Sequence, residues 1–311
     1  MIFLHENPEY QKWIRTVGAE KELLPGLVEK DYWVTHTLWS LAQSQCDFWF
    51  KGGTSLSKAF GLVTRFSEDI DVRLEHPSLP EVSWTSERKG GVADRQQYFE
   101  ALTRLIKVPG ANVKLADKQD KLWRSADIYV EYPSLFEVRA PMLPFVKIEA
   151  GMARVAPFVE RDISSFIHDA LAAQGALADH KDNRPNRVRV VHPLVTLLEK
   201  LDAISKRYNR ESFAPASFIR HYEDAARIID ALSGFAQLDQ TPAALADEML
   251  ALKQIKQRPS EKDDAFVLSN SEKKASLLAE YAAVSHMFWG DRLSLDETNK
   301  HIRAWIRANL A

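Results

Sequence analysis

Residues 50–58 read FKGGTSLSK and residues 65–71 read RFSEDID, and these two stretches decide the fold of the chain. The first predicts a short aromatic strand that ends at a pair of glycines and leads directly into a helix. The second alternates strictly, so that Asp69 and Asp71 point to one face of a strand and apolar side chains point to the other. Together they predict a mixed α/β unit with polar chemistry at the glycine corner.

The glycine corner is a candidate phosphate site. Gly52 and Gly53 let a phosphate approach backbone N–H groups at the start of a helix without a Cβ in the way. Thr54 and Ser55 add hydroxyl donors, and Lys58 adds a positive charge one turn later. The alternative is an ordinary strand–turn–helix corner, which a pair of glycines alone indicates more often than a phosphate site.

Paired carboxylates make the phosphate hypothesis the stronger one. Asp69 and Asp71 lie on the same strand face, where their repulsion is relieved by a cation, and Mg²⁺ prefers oxygen ligands of this kind. The alternative is a solvated edge strand. A third carboxylate, Glu149, alternates away from the apolar residues of a later strand at about 144–151, and is a candidate metal ligand or general base. Its alternative is a surface glutamate on a half-buried strand.

The remainder of the chain changes character near its middle. Further strands are expected at about 113–115 and 126–132, and helices of the first half at about 8–42 and 96–107. The second half reads as helices, expected at about 163–177, 193–208, 218–232, 242–256, 272–288 and 296–310. We therefore predict an α+β fold with a nucleotide-binding α/β domain at 1–160 and an all-helical domain at 161–311.

Composition excludes several classes of protein. The 311 residues are 45% apolar, which excludes a disordered chain, and the net charge of −2 excludes a histone-like basic protein. One cysteine excludes an internal disulfide, and neither a secretory signal nor an apolar run long enough to span a bilayer is visible, so a cytoplasmic location without a membrane is expected. Residues 181–210 nevertheless carry a net charge of +5, which suits a polyanion or, alternatively, a solvated basic loop.

On these residues the sequence resembles a known family. The glycine corner, the Asp-x-Asp strand and the later carboxylate are similar to the polymerase-β-like nucleotidyltransferases. More narrowly, the chain resembles the AbiEii/AbiGii toxins of abortive-infection, or type IV toxin–antitoxin, systems. The blocks that carry this resemblance are residues 28–33 (VEKDYW), 51–58, 65–71, 199–204 (EKLDAI) with Arg207, 220–224 (RHYED) and 287–291 (MFWGD).

The resemblance implies a polymerase-β-like fold, with a mixed sheet and flanking helices followed by a helical domain that closes the active-site cleft. It implies metal binding by Asp69 and Asp71, and a nucleotide site at the glycine corner. It also implies active-site roles for Lys200 and Asp224 of the helical half. Their alternatives from local sequence are a basic border on a core helix and a plain ion pair of Asp224 with Arg220.

The function implied by this resemblance is Mg²⁺- or Mn²⁺-dependent transfer of a nucleoside monophosphate from an NTP, with release of pyrophosphate. Glu149 or Asp224 would deprotonate the acceptor, and Lys58, Lys200 and Arg207 would hold phosphates. The resemblance also implies an RNA acceptor, for example the end of a tRNA, phage defence as the setting, and a cognate antitoxin that restrains the enzyme. Two alternatives stay open: nucleotidyl transfer to a small molecule such as an antibiotic, and a non-catalytic nucleotide-binding module of the same fold.

Overall fold

The computed structural model describes residues 1–44, 46–67, 69–74, 91–138, 142–152 and 156–310, so Glu68 of the RFSEDID stretch lies outside the described residues. The chain forms two compact units. The first comprises Met1–Ala59 and Ser67–Val190, and the second comprises Phe60–Phe66 and Val191–Ala311. A seven-residue stretch between the glycine corner and the Asp-x-Asp strand therefore belongs to the second unit.

Among the residues that the structure describes, a seven-stranded mixed sheet forms the centre of the first unit. Its strands in chain order are β1 Phe48–Lys51, β2 Asp69–Leu74, β3 Asn112–Leu115, β4 Ser125–Glu131, β5 Val146–Met152, β6 Phe158–Arg161 and β7 Val188–Val191. Across the sheet the order is β3-β4-β5-β2-β1-β7-β6. Strand β2 runs parallel to β5 and antiparallel to β1, while β4 runs antiparallel to both β3 and β5. The predicted α+β class with a mixed sheet is confirmed.

Alternation decides which face of each strand is buried. Ile70 and Val72 of β2 are buried, as are Ile128 of β4 and Ile148 of β5, and they build the core on one face of the sheet. The residues between them therefore point to the opposite face, because successive side chains of a strand alternate. This opposite face carries the charged residues described below.

The described part of the first unit contains the helices α1 Tyr10–Glu20, α2 Pro25–Gln43, α3 Gly52–Lys58, α4 Val92–Leu105 and α5 Phe166–Ala173. The single helix expected at 8–42 is two helices. Pro25 occupies the first turn of α2, where its missing N–H costs nothing, and Glu22 has a φ of 55°, which a continuous helix does not allow.

Residues 161–190, which we expected in the helical domain, pack with the first unit. Strand β7 pairs in parallel with β1, with Phe50 opposite Val190. Helix α5 contacts α1 and α2. Both β6 and β7 went unpredicted because they are only four residues long and lack a distinctive period.

The described part of the second unit contains the helices α6 Pro193–Tyr208, α7 Arg220–Ala231, α8 Pro242–Ala251, α9 Asp264–Val267, α10 Ser271–Ala283 and α11 Leu295–Asn309. Helix α6 has the predicted bounds, because Pro193 opens it and the His192 side chain caps it by accepting from the N–H of Leu194. Helix α9 lies between the helices expected at 242–256 and 272–288, and the Asp263 side chain caps it by accepting from the N–H of Ala265.

Candidate active site

A row of charged side chains crosses four neighbouring strands of the first unit. Asp71 of β2 lies opposite Glu149 of β5, and Asp127 of β4 lies opposite Glu149 on its other side. Lys51 of β1 lies opposite Asp71. Residues opposite each other share a sheet face and have Cβ atoms about 5 Å apart. The sheet thus brings three carboxylates and one lysine together on the face away from the core.

A second row lies two residues along the strands. Asp69 is opposite Lys147, and the Lys147 ammonium lies 3.5 Å from Oδ2 of Asp69 and 3.4 Å from Oε2 of Glu149. Burial by itself would lower the pKa of Lys147, but the carboxylates of Asp69, Glu149 and Asp127 outweigh it and raise the pKa. Lys147 of the second row is therefore protonated at neutral pH, and its ammonium lies between a carboxylate of its own row, Asp69, and one of the first row, Glu149.

Asp71 is the most perturbed of these carboxylates. Burial raises its pKa to about 6, the carboxylates of Glu149 and Asp69 add to the rise, and the ammonium of Lys51 opposes it. Burial also raises the pKa of Asp127, with smaller contributions from the same two carboxylates. Negative charge is thus crowded and poorly hydrated here, an environment that favours binding of a cation.

Gly52 is required by the carboxylate beside it. Its φ is +78°, and a Cβ at this position would lie 1.9 Å from Oδ2 of Asp71. A side chain would therefore collide with the carboxylate as well as strain the backbone. The sequence predicted a glycine for close approach of a phosphate, whereas in the structure the group that approaches is Asp71.

The hydroxyls and the lysine after the glycine corner have partners within the first unit. The buried hydroxyl of Thr54 lies 2.8 Å from Oγ of Ser67 and 2.5 Å from the carbonyl oxygen of Asp69. Ser55 donates to the carbonyl of Gly52 at 2.9 Å. Lys58 forms a buried ion pair with Asp31. These contacts fix α3 against β2 and α2, and a role of the three side chains in phosphate binding stays a prediction.

Asp69 and Asp71 suit a hard divalent cation in their donor chemistry. Oδ1 of Asp69 is buried and has no hydrogen-bond partner among the described residues, so a buried acceptor is left for a ligand. Within those residues, however, no three His, Cys, Asp or Glu side chains are close enough together to hold a metal ion. The arrangement fits a cation bound mainly by the Asp pair, with its other ligands coming from substrate and water.

The other three predicted residues lie in the second unit. Asp224 of α7 is fully buried and accepts from Arg65 at 2.7 Å on each oxygen. Lys200 of α6, also buried, donates to Oδ2 of Asp224 at 2.6 Å. Burial alone would raise the pKa of Asp224, but the charges of Arg65 and Lys200 hold it well below its usual range. Lys200 thus lies inside the unit and not at a basic border of α6, the alternative from local sequence, and its active-site role stays a prediction.

Arg207 lies about two turns after Lys200 in α6, and its side chain is half-buried. Its guanidinium donates to the carbonyl of Ser217 and lies 3.2 Å from Nε2 of His221. Burial and the charge of Lys200 hold the pKa of His221 well below its usual range, so this ring is neutral and can accept a hydrogen bond from Arg207.

Sequence reasoning missed four residues of these clusters, namely Lys51, Asp127, Lys147 and Arg65. Asp127 and Lys147 alternate with apolar residues just as Asp71 and Glu149 do, so strand alternation contained the signal for both. Arg65 gave no such signal, because nothing local links it to Asp224, 159 residues later.

The basic stretch at 181–210 is divided between the two units at residue 190. In the first unit, Arg184 pairs with Asp182, and two further arginines pair with carboxylates distant in sequence, Arg187 with Glu160 and Arg189 with Asp47. The local excess of positive charge is therefore partly neutralised by acidic residues that the sequence count left outside the stretch.

Comparison with known proteins identifies one family over most of the chain. A sequence model of the family described as "Nucleotidyl transferase AbiEii toxin, Type IV TA system" matches residues 36–299. The matched range includes every carboxylate of the two clusters. Neither a curated protein nor a solved structure matches the chain. Among the described residues, no helix is long and apolar enough to cross a membrane.

Proposed function

Because the chain belongs to the AbiEii family of nucleotidyl transferase toxins of type IV toxin–antitoxin systems, we propose that it transfers a nucleoside monophosphate from an NTP to an acceptor in a Mg²⁺-dependent reaction. Family membership identifies the chain as a toxin and an enzyme of the nucleotidyltransferase class, and implies a cognate antitoxin. The metal, the nucleotide and the acceptor are our proposals.

One observation carries the proposal, namely the row formed by Asp71, Glu149 and Asp127 with Asp69 beside it. Asp69 and Asp71 are the residues that would hold Mg²⁺. When bound, such an ion neutralises the triphosphate and stabilises the negative charge that develops during transfer. Lys147 holds Asp69 and Glu149 together in the free protein, and Gly52 leaves room for the carboxylate of Asp71.

The proposed reaction is an in-line displacement at the α-phosphorus. A hydroxyl oxygen of the acceptor forms a bond to this phosphorus, the bond from phosphorus to the bridging oxygen breaks, and pyrophosphate leaves. The hydroxyl proton passes to Glu149, whose side chain is 47% exposed and so accessible to an acceptor. Asp224 is unsuited to this role, since it is fully buried and both its oxygens accept from cationic partners.

We propose RNA as the acceptor, with the end of a tRNA as the specific candidate and phage defence as the setting. An RNA end offers a free hydroxyl and a polyanionic backbone, which the net charge of +5 of residues 181–210 would favour. A small hydroxylated molecule is the alternative acceptor. The labelling experiment described next distinguishes an RNA acceptor from a small-molecule acceptor.

Labelling with each of four α-labelled NTPs and Mg²⁺ tests the function. Total RNA and a pool of small hydroxylated molecules serve as separate acceptors. We expect label in one RNA size class with wild-type protein, none with Asp71→Ala, and full transfer with Asp117→Ala, which changes an exposed aspartate of the same unit. Label in the small-molecule pool alone would contradict the RNA proposal. Transfer by Asp71→Ala at the wild-type rate would contradict the mechanism.

A further inference from the structure

Arg65 of the second unit has no part in the mechanism proposed for the reaction, although it makes an extensive buried contact. Its guanidinium binds Asp224 in a two-pronged arrangement, Nε to Oδ1 and Nη2 to Oδ2, both at 2.7 Å. A third N–H donates to the carbonyl of Phe66 at 3.1 Å. Arg65 is 4% exposed and Asp224 is fully buried, so neither side chain is available to substrate. Paired forks of this kind fix geometry as well as charge.

The backbone beside Arg65 is held at the same place. Arg65 forms an isolated antiparallel bridge with Phe288. The N–H of Phe66 donates to the carbonyl of Met287 at 3.0 Å, and the N–H of Trp289 donates to the carbonyl of Thr64 at 2.9 Å. Residues 64–66 are thus fixed through their side chain and through their main chain, within the second unit.

This stretch leads directly into the Asp-x-Asp strand. The chain rejoins the first unit at Ser67, and β2 begins two residues later at Asp69. Thr54 holds both of these residues, through Oγ of Ser67 and the carbonyl of Asp69. Every described residue from 64 to 69 therefore has a hydrogen-bonded contact, those of residues 64–66 within the second unit and those of Ser67 and Asp69 within the first.

From these contacts we propose that Arg65 is a positioning residue, and that Asp224 serves the reaction by holding Arg65. Together they fix the stretch that precedes β2, so that Asp69 and Asp71 keep the geometry the reaction needs. The proposal rests on the proposed function for its consequence in catalysis, but its structural part is testable without activity. It replaces the role of base considered for Asp224.

The test compares Arg65→Ala, Asp224→Ala and the double variant in the full-length chain. Displacing reacting groups by about 1 Å costs on the order of 100-fold in rate, so we expect losses of that size in kcat for each single variant. The KM for NTP should change by less than about threefold, since the variants do not touch substrate. The double variant should lose no more than the worse single variant, because both changes break one contact.

A second readout is amide hydrogen exchange of Phe66 and Trp289. Arg65→Ala should accelerate exchange at both amides, and the matched control Asp264→Ala should not. This control removes hydrogen bonds from the Tyr208 hydroxyl and the Ser269 N–H elsewhere in the second unit. The Asp264→Ala variant therefore shows what a loss of stability does when the contacts of residues 64–66 are kept. Its kcat should stay at the wild-type value.

Three results would overturn the proposal: losses that multiply in the double variant, a kcat of Arg65→Ala equal to that of the control, or unchanged exchange. If wild-type protein transfers no nucleotide, the proposed function fails, and the exchange result alone decides whether Arg65 holds the stretch. Should Arg65→Ala fail to fold, Arg65→Lys keeps the charge and loses the fork, and is expected to show the same pattern with smaller losses.

Discussion

Asp71 and Gly52 depend on each other at the scale of single residues. The carboxylate of Asp71 occupies the volume that any side chain at position 52 would fill, and the φ of +78° at Gly52 is itself unfavourable for other residues. A left-handed conformation costs a residue with a Cβ about 1–2 kcal/mol, and a collision with a charged group adds to this.

Gly52→Ala should therefore lower both stability and activity, and Gly61→Ala is its matched control. Gly61 also has a positive φ of +63°, but a Cβ there meets nothing within 4 Å. Urea unfolding should show a loss of about 1–2 kcal/mol for the control and a larger loss for Gly52→Ala. Nucleotidyl transfer should fall only in Gly52→Ala. Equal losses in the two variants would mean that the contact with Asp71 has no effect.

The perturbed pKa of Asp71 predicts a pH dependence of stability in metal-free buffer. In the folded protein its pKa is about 6, whereas an unfolded aspartate titrates near 3.9. Between about pH 4 and pH 6 the folded state therefore binds more protons than the unfolded chain, and the free energy of unfolding falls as the pH rises through this window. A shift of this size corresponds to roughly 2–3 kcal/mol.

Asp71→Asn removes this titration while leaving the other groups in place. Relative to the variant, wild-type protein should lose stability as the pH rises from about 4 to about 6, as measured by urea unfolding at each pH. Parallel stability curves for the two proteins would show that Asp71 is solvated and titrates normally.

At the scale of elements, the helix after the glycine corner is held to α2 by one buried ion pair. Asp31 binds Lys58 through Oδ1 at 2.5 Å and accepts from the N–H of Phe166 through Oδ2 at 2.8 Å. A single carboxylate thus connects α2, α3 and the first residue of α5. From sequence Lys58 was predicted to bind phosphate, and this contact gives it a structural partner as well.

Asp31→Ala should destabilise the protein by about 3–5 kcal/mol, because it leaves the ammonium of Lys58 buried and uncompensated. The matched control is Glu9→Ala, which removes an exposed ion pair with Lys12 of 2.9 Å. Such surface pairs contribute about 0–1 kcal/mol. Urea unfolding of both variants measures the difference, and similar small losses would show that the Lys58 pair contributes no more than a surface contact.

At the scale of the whole molecule, the chain passes between its two units three times, because Phe60–Phe66 belongs with the second unit. In this stretch Val63, Arg65 and Phe66 are buried, at 4%, 4% and 9% exposure. A fragment that ends at residue 190 retains the stretch but lacks the unit with which it packs. Its apolar and charged side chains would then be left without their partners.

We expect a fragment of residues 1–190 to aggregate, and the same fragment with residues 60–66 replaced by seven Gly and Ser residues to be more soluble. Size-exclusion chromatography of the two fragments provides the measurement. In the full-length chain the same replacement should instead lower the melting temperature, because it removes buried contacts. A soluble, monomeric unmodified fragment would contradict this division of the chain.

Local pattern predicted much of the fold. The limits of α6 followed from a proline and a capping histidine, and the faces of β2 and β5 followed from alternation. Patterns could not predict that the helix at 8–42 is interrupted or that 161–190 joins the first unit. The first outcome depends on the backbone conformation at Glu22. The second depends on the pairing of β7 with β1, in which Phe50 lies opposite Val190, 140 residues later in the chain.

The sequence by itself determined the family, the paired aspartates and the strand on which they lie, because these are properties of short, contiguous stretches. Only the tertiary structure decided the neighbours of each charge. Sheet register placed Asp127 and Lys147 beside Asp69, Asp71 and Glu149, and helix packing placed Arg65 on Asp224. The physical reason is that burial and Coulomb interaction act through space, so the partner of a charged residue is not encoded in its neighbours along the chain.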